Sequence, residues 1–258
     1  MKRLLSLILL LTFNETYAFG TSSLAIEYFN EIAMGSEFGT GDKLTRKWSH
    51  DVNVFIRGEY SPKLVSELDD VIFDLNSIIS TIKIHKVSSK ELANFIVYFG
   101  SAKGYAKAVA LPAKKIAKLD SNYGSFYCKK NSETIKRCSM YVDTYRASPE
   151  FQLHLVREEF TQALGLMNDS TRYASSIFFS DVSYTRRFSQ IDVELIQFLY
   201  SDSVVSRMSS LDVKTVAAGN TPVVALKNIE GTFYHRNYNK PVSGEVFSYH
   251  KNGQHKEK

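Results

Sequence analysis

Phe151-Gln152-Leu153-His154-Leu155-Val156-Arg157-Glu158-Glu159-Phe160-Thr161-Gln162-Ala163-Leu164-Gly165-Leu166 is the stretch whose reading decides the fold. Leu153, Val156, Phe160, Ala163 or Leu164, and Met167 recur at three and four residues, which predicts an amphipathic helix. His154, Glu158, Thr161 and Gln162 fall together on a different face, because residues four apart are neighbours on a helix. Pro149 stands where a helix can begin and Gly165 where one can end. An amphipathic helix with a polar, acid-bearing face and a glycine stop is a place where chemistry can sit.

The spacing resembles that of zinc metalloproteases of the metzincin type. They carry His-Glu-x-x-His-x-x-Gly-x-x-His or Asp, often with Leu-Gly-Leu around the glycine. That helix presents two ligands one turn apart, a glutamate beside the first as general base, and a glycine that turns the chain towards the third ligand. Laid on this pattern, Glu158 takes the first ligand position and Glu159 that of the general base. Gln162 takes the second ligand position, Gly165 the turn and Asn168 the third ligand position. All three usual ligand types are replaced. Glutamate can bind zinc, whereas the amides of Gln162 and Asn168 are poor ligands. The resemblance implies a divalent metal, zinc or another; from the residues themselves, His154 one turn before Glu158 and Asp169 after it are further candidate donors.

Leu166-Met167-Asn168-Asp169, Ser176-Ile177-Phe178, and Phe188-Ser189 with Asp192 leading to Leu199-Tyr200 resemble a bacterial exported family, domain of unknown function 2927, over roughly residues 48–210. Its Glu-Glu-x-x-Gln and Gly-Leu-x-Asn-Asp signatures are matched here. The Ser-x-x-Asp and Leu-Tyr ending also resembles matrixin-type zincins. The expected fold is α+β: a zincin-like domain with a small mixed sheet, helices and a central motif-bearing helix, followed by a short β-hairpin tail.

Composition bounds the rest. With 258 residues and 44% hydrophobic content, the chain can bury one large core, alone or with a small module. Lys2 and Arg3 precede an apolar run from Leu4 to Phe13, and Thr16-Tyr17-Ala18 offers a small-residue cleavage site. Residues 1–18 therefore read as a signal peptide, with a run too short to span a bilayer. The protein is expected in the periplasm or outside the cell, with no transmembrane segment in its mature form. In that oxidising setting Cys128 and Cys138, ten residues apart, are expected to form a disulfide. The net charge of +5 is modest, and the lysines between Lys103 and Lys118 read as a solvated face. No phosphate loop, dinucleotide fingerprint, Gly-x-Ser-x-Gly or nucleic-acid motif occurs.

Along the chain, Ser23–Met34 reads as a helix, Val52–Ile56 as a strand closed by Gly58, and Pro62–Ile79 as a helix. Ile82–Ile84 and Asn94–Phe99 read as strands, Lys103–Leu119 as helix or strand, and Tyr123–Cys128 and Cys138–Tyr145 as extended. Gln190–Tyr200 reads as a helix capped by Ser189, with Asp192 serving its first turn rather than catalysis. Residues 19–212 are expected to form the main domain, and Asp212–Pro222 reads as a linker. Residues 213–258 would then hold this linker and a single hairpin repeat resembling the MORN type, marked by Gly231 and Asn252-Gly253. His235, His250 and His255 in this tail lack metal-site spacing.

Two functions compete. In the first, Glu158 with His154 or Asp169 holds a metal and Glu159 activates water for hydrolysis. In the second, the helix is kept as a scaffold for binding a protein, peptide or cell-envelope partner. Glu158, Gln162 and Asn168 then bond to one another and to backbone, and Arg157, a lysine, solvent or a retained proton offsets the acids.

Overall fold

The computed structural model describes residues 23–34, 43–112, 116, 119–130, 134–222, 226–229, 232–235 and 246–247. The signal peptide expected over 1–18 and most of the expected repeat lie outside the described residues.

The chain runs α1 (Ser23–Ala33), β1 (Val52–Gly58), α2 (Pro62–Ile78), β2 (Ile84–Lys86), β3 (Phe95–Phe99), α3 (Ala102–Ala108), β4 (Gly124–Lys130) and β5 (Ile135–Val142). There follow α4 (Pro149–Gln162), α5 (Gln190–Leu199) and α6 (Ser210–Ala217). The main sheet has the order β2-β1-β3-β5-β4. Its first four strands are parallel, and β4 runs antiparallel to β5 along one edge. Beyond α6, Leu226–Ile229 pairs antiparallel with Thr232–His235.

Alternation along the central strands explains the layering. Cys138, Met140 and Val142 of β5 join the main core with Val52 and Val54 of β1 and Phe95, Val97 and Phe99 of β3. Against that face pack Leu64, Leu68, Val71 and Leu75 of α2, and Leu153, Val156 and Phe160 of α4. Tyr141, alternate in β5, points to the opposite face and stacks on Tyr105 of α3 with ring centroids 4.9 Å apart. From Cys138 to Val142, β5 is buried on both faces, as expected of a strand covered by helices on either side. Phe160 stacks on Phe95 at 4.7 Å, and the Trp48 indole donates to the Ala163 carbonyl at 3.0 Å. These contacts anchor the end of α4 over the sheet.

Cys128 and Cys138 face each other across β4 and β5 and are joined in a disulfide, as expected. The expected linker at Asp212–Pro222 is corrected in its first half, because α6 continues to Ala217. Ser209 and Asp212 form a reciprocal capping box there, and Val213 and Val216 are buried. The signal was present as Ser-x-x-Asp, but the short apolar spacing hid it. Lys103–Leu119, left open between helix and strand, begins as α3. No helix among the described residues is long and apolar enough to cross a membrane.

Candidate functional site

The motif helix α4 is built as its sequence demands. Ser148 caps it by accepting from the Phe151 amide, and Pro149 occupies the first turn, where no intrahelical donor is needed. Its far end closes at Gly165, with φ of +123°. A side chain there would be strained, and its Cβ would lie 2.0 Å from the Arg46 carbonyl oxygen. Gly165 therefore sets both the turn and its close packing on the segment before β1.

Three faces of α4 have three destinations. Leu153, Val156 and Phe160 enter the core. Arg157 turns to α2, where Nη1 meets Asp74 at 2.7 Å and Nη2 meets Glu67 at 3.4 Å. Glu67, itself buried, is also held by Arg186. Arg157 thus offsets acids of α2, not those of the motif face. His154, Glu158 and Gln162 look instead into a cleft of about 190 Å³, lined also by Glu159 and Asp169, by residues 121–125 at the start of β4, and by residues 179–182.

Within the cleft the polar groups hold one another. His154 Nδ1 donates to the Thr185 carbonyl at 2.7 Å, while Nε2 faces Glu158 Oε2 at 3.3 Å. Phe151 stacks on the imidazole with ring centroids 5.8 Å apart. Burial disfavours the imidazolium, but the hydrogen bond and charge of Glu158 outweigh it, and the His154 pKa lies above its ordinary value. The Gln162 amide donates to Asp169 Oδ1. Burial first, and the charge of Glu158 second, push the Asp169 carboxyl up to about 7. Arg157, turned to α2, is therefore not what offsets the crowded acids, and burial beside Glu158 favours the protonated form of Asp169. Glu159 is buried beneath the edge strand. A Cβ on Gly124 would lie 2.6 Å from Glu159 Oε1, so glycine lets β4 cross close over this carboxylate and a side chain there would have to displace it.

Asn168 goes elsewhere. Its side-chain amide donates to the carbonyls of Glu31, Ile32 and Met34, closing the C-terminal end of α1. The residues expected to ligate thus divide: His154, Glu158, Gln162 and Asp169 share the cleft with Glu159, and Asn168 leaves it. The fold expectation implies zinc at Glu158, Gln162 and Asn168, and the residues present do not fit it. One amide is committed to a helix end, the other is turned as a donor towards Asp169, and Glu158 faces an imidazole. Among the described residues, no group of three or more His, Cys, Asp or Glu side chains is placed to hold a metal ion.

Asp192 has the structural role expected of it. Its carboxylate accepts from Ser176, from the Ile177 amide, and from both the amide and hydroxyl of Ser189.

A family model described as "Protein of unknown function (DUF2927)" matches residues 23–218. The chain belongs to this family. The match extends past the expected 48–210 on both sides and takes in α1 and α6. No curated protein matches the chain. Among solved structures it is similar to myroilysin, with 13% identity and a TM-score of 0.40, over 67% of this chain and 92% of that one. It is similar to archaemetzincin from Methanopyrus kandleri, with 14% identity and a TM-score of 0.33, over 57% and 94%. It is also similar to high choriolytic enzyme 1, a hatching-enzyme zinc-protease from Oryzias latipes, with 12% identity and a TM-score of 0.33, over 60% and 92%.

Several cleft residues had no linear signal. Thr185 contributes through its carbonyl, which any residue type offers. Gly124 matters for what lies beneath it, and Asp181 and Tyr184 sit in a loop without periodicity.

Proposed function

We propose that this protein is an exported binding module on a zincin-like frame, whose cleft between α4 and the edge strand β4 receives an extended segment of another protein. The main domain follows a signal peptide over 1–18, and the tail beyond it carries a hairpin repeat of the MORN type. The observation that carries the reading is the mutual satisfaction of the motif positions. His154 bonds Glu158, Gln162 bonds Asp169, and Asn168 caps α1, so each polar group has a partner without an added ion. The position of β4 as the outermost strand of the sheet among the described residues, beside the cleft, supports it further, since a strand edge is a ready template for an added chain.

The test is the metal content of the purified mature protein by mass spectrometry, beside a Glu158→Ala variant. Less than a tenth of an equivalent of metal in both, with circular dichroism unchanged, is the expected result. One tightly held equivalent, lost in the variant, would overturn the reading. The metal-dependent hydrolase with Glu159 as general base would then take its place.

A further inference from the structure

Resting on that binding reading, we propose that the cleft accepts a positively charged side chain, an arginine or lysine, carried on the extended segment of the partner protein. Two independent features point to it. The first is charge. Glu158, Glu159, Asp169 and Asp181 line the cleft, and His154 is the one basic residue lining it among the described residues. The nearest arginine on the helix, Arg157, is committed on the opposite side to Asp74 and Glu67. Asp181 lies exposed at the rim and forms no ion pair among the described residues. With Glu158 on His154 and Asp169 on Gln162, Asp181 is the carboxylate placed to meet an incoming cation, and the surplus of acids over bases along the cleft favours one.

The second feature is an aromatic wall. Phe151 packs edge-to-face against Tyr123 and against Tyr184, both with ring centroids 5.9 Å away. Tyr123 is 45% exposed, Tyr184 58% and neighbouring Val182 72%. Large apolar groups this open are placed for contact rather than for the core. Aromatic faces attract guanidinium and ammonium groups, and the Tyr123 ring already carries the Arg146 guanidinium 5.3 Å from its centroid. A long basic side chain matches both features. Its aliphatic stem lies along Val182 and Tyr184, and its charged head reaches Asp181 and Glu158. A bare metal ion would use neither the wall nor the spread of the acids, and no metal-type cluster is formed among the described residues.

The test uses the full mature protein and three capped pentapeptides, each with four alanines around a central arginine, norleucine or glutamate. Binding is followed by calorimetry and by the shift of the Gly124 amide resonance. The arginine peptide is expected to bind at least about tenfold more tightly than the norleucine peptide, a difference of ~1.4 kcal/mol. That preference should shrink severalfold in Asp181→Asn and in Tyr184→Ala, both at exposed positions. Equal affinity for arginine and norleucine, or preference for glutamate, would overturn the cationic site and leave the binding reading standing. No response to any of the three would overturn both.

Discussion

Replacing Asp169 with asparagine should stabilise the protein, and by more as pH rises. Asparagine has nearly the same shape and keeps an oxygen to accept from Gln162, so the packing survives while the charge is removed. In the folded chain, burial and then Glu158 raise this carboxyl from 3.8 to about 7. The unfolded chain ionises it near its ordinary value. Stability from this group is therefore fully present below pH 3.8 and is lost as pH climbs to about 7. At ~1.4 kcal/mol per pKa unit, the gap corresponds to ~4 kcal/mol. Asp169 is only part-buried, and solvent screening reduces this to ~2 kcal/mol. Urea unfolding at pH 5 and pH 8 checks it. Asp169→Asn should gain ~2 kcal/mol over the natural protein at pH 8 and less than half of that at pH 5. A constant offset at the two pH values would refute the reasoning, because it would mean that folding leaves this carboxyl ordinary.

Arg157→Met should cost ~3 kcal/mol in urea unfolding, because buried Glu67 loses one of its two cations and Asp74 loses its close partner. Adding Glu67→Gln to that variant should recover part of the loss, and a purely additive double variant would count against a shared network. Breaking the disulfide with paired Cys128→Ser and Cys138→Ser changes should cost ~3 kcal/mol for a loop of this length. Reductant should lower the urea midpoint of the natural protein to that of the double variant and leave the variant itself unmoved.

The motif helix was legible because its evidence is local. Leu153, Val156 and Phe160 repeat at helical spacing, Ser148 and Pro149 start the helix, and a positive φ at Gly165 turns the chain after it. The His154–Glu158 pair follows from the same spacing, since four residues bring two side chains together on any helix. The disulfide was legible from two cysteines ten residues apart and the expectation of an oxidising compartment. Even α6, read as a linker, carried its Ser-x-x-Asp cap in plain sequence.

What the sequence determined alone was therefore the helix, its polar face and the candidate residues, because backbone propensity and i, i+4 geometry act within a few positions. What only the tertiary structure decided was where each polar group finds its partner. Asn168 and Asp169 are adjacent in the chain, yet one caps α1 and the other meets Gln162 in the cleft. Arg157 and Glu158 are adjacent too, yet one pairs with α2 and the other with His154. Helical and turn geometry send neighbouring side chains in divergent directions. Glu158 and Asp169 meet partners within seven residues, but Arg157 meets α2 from 83 residues away and Asn168 meets α1 from 136, and no local pattern encodes those two meetings.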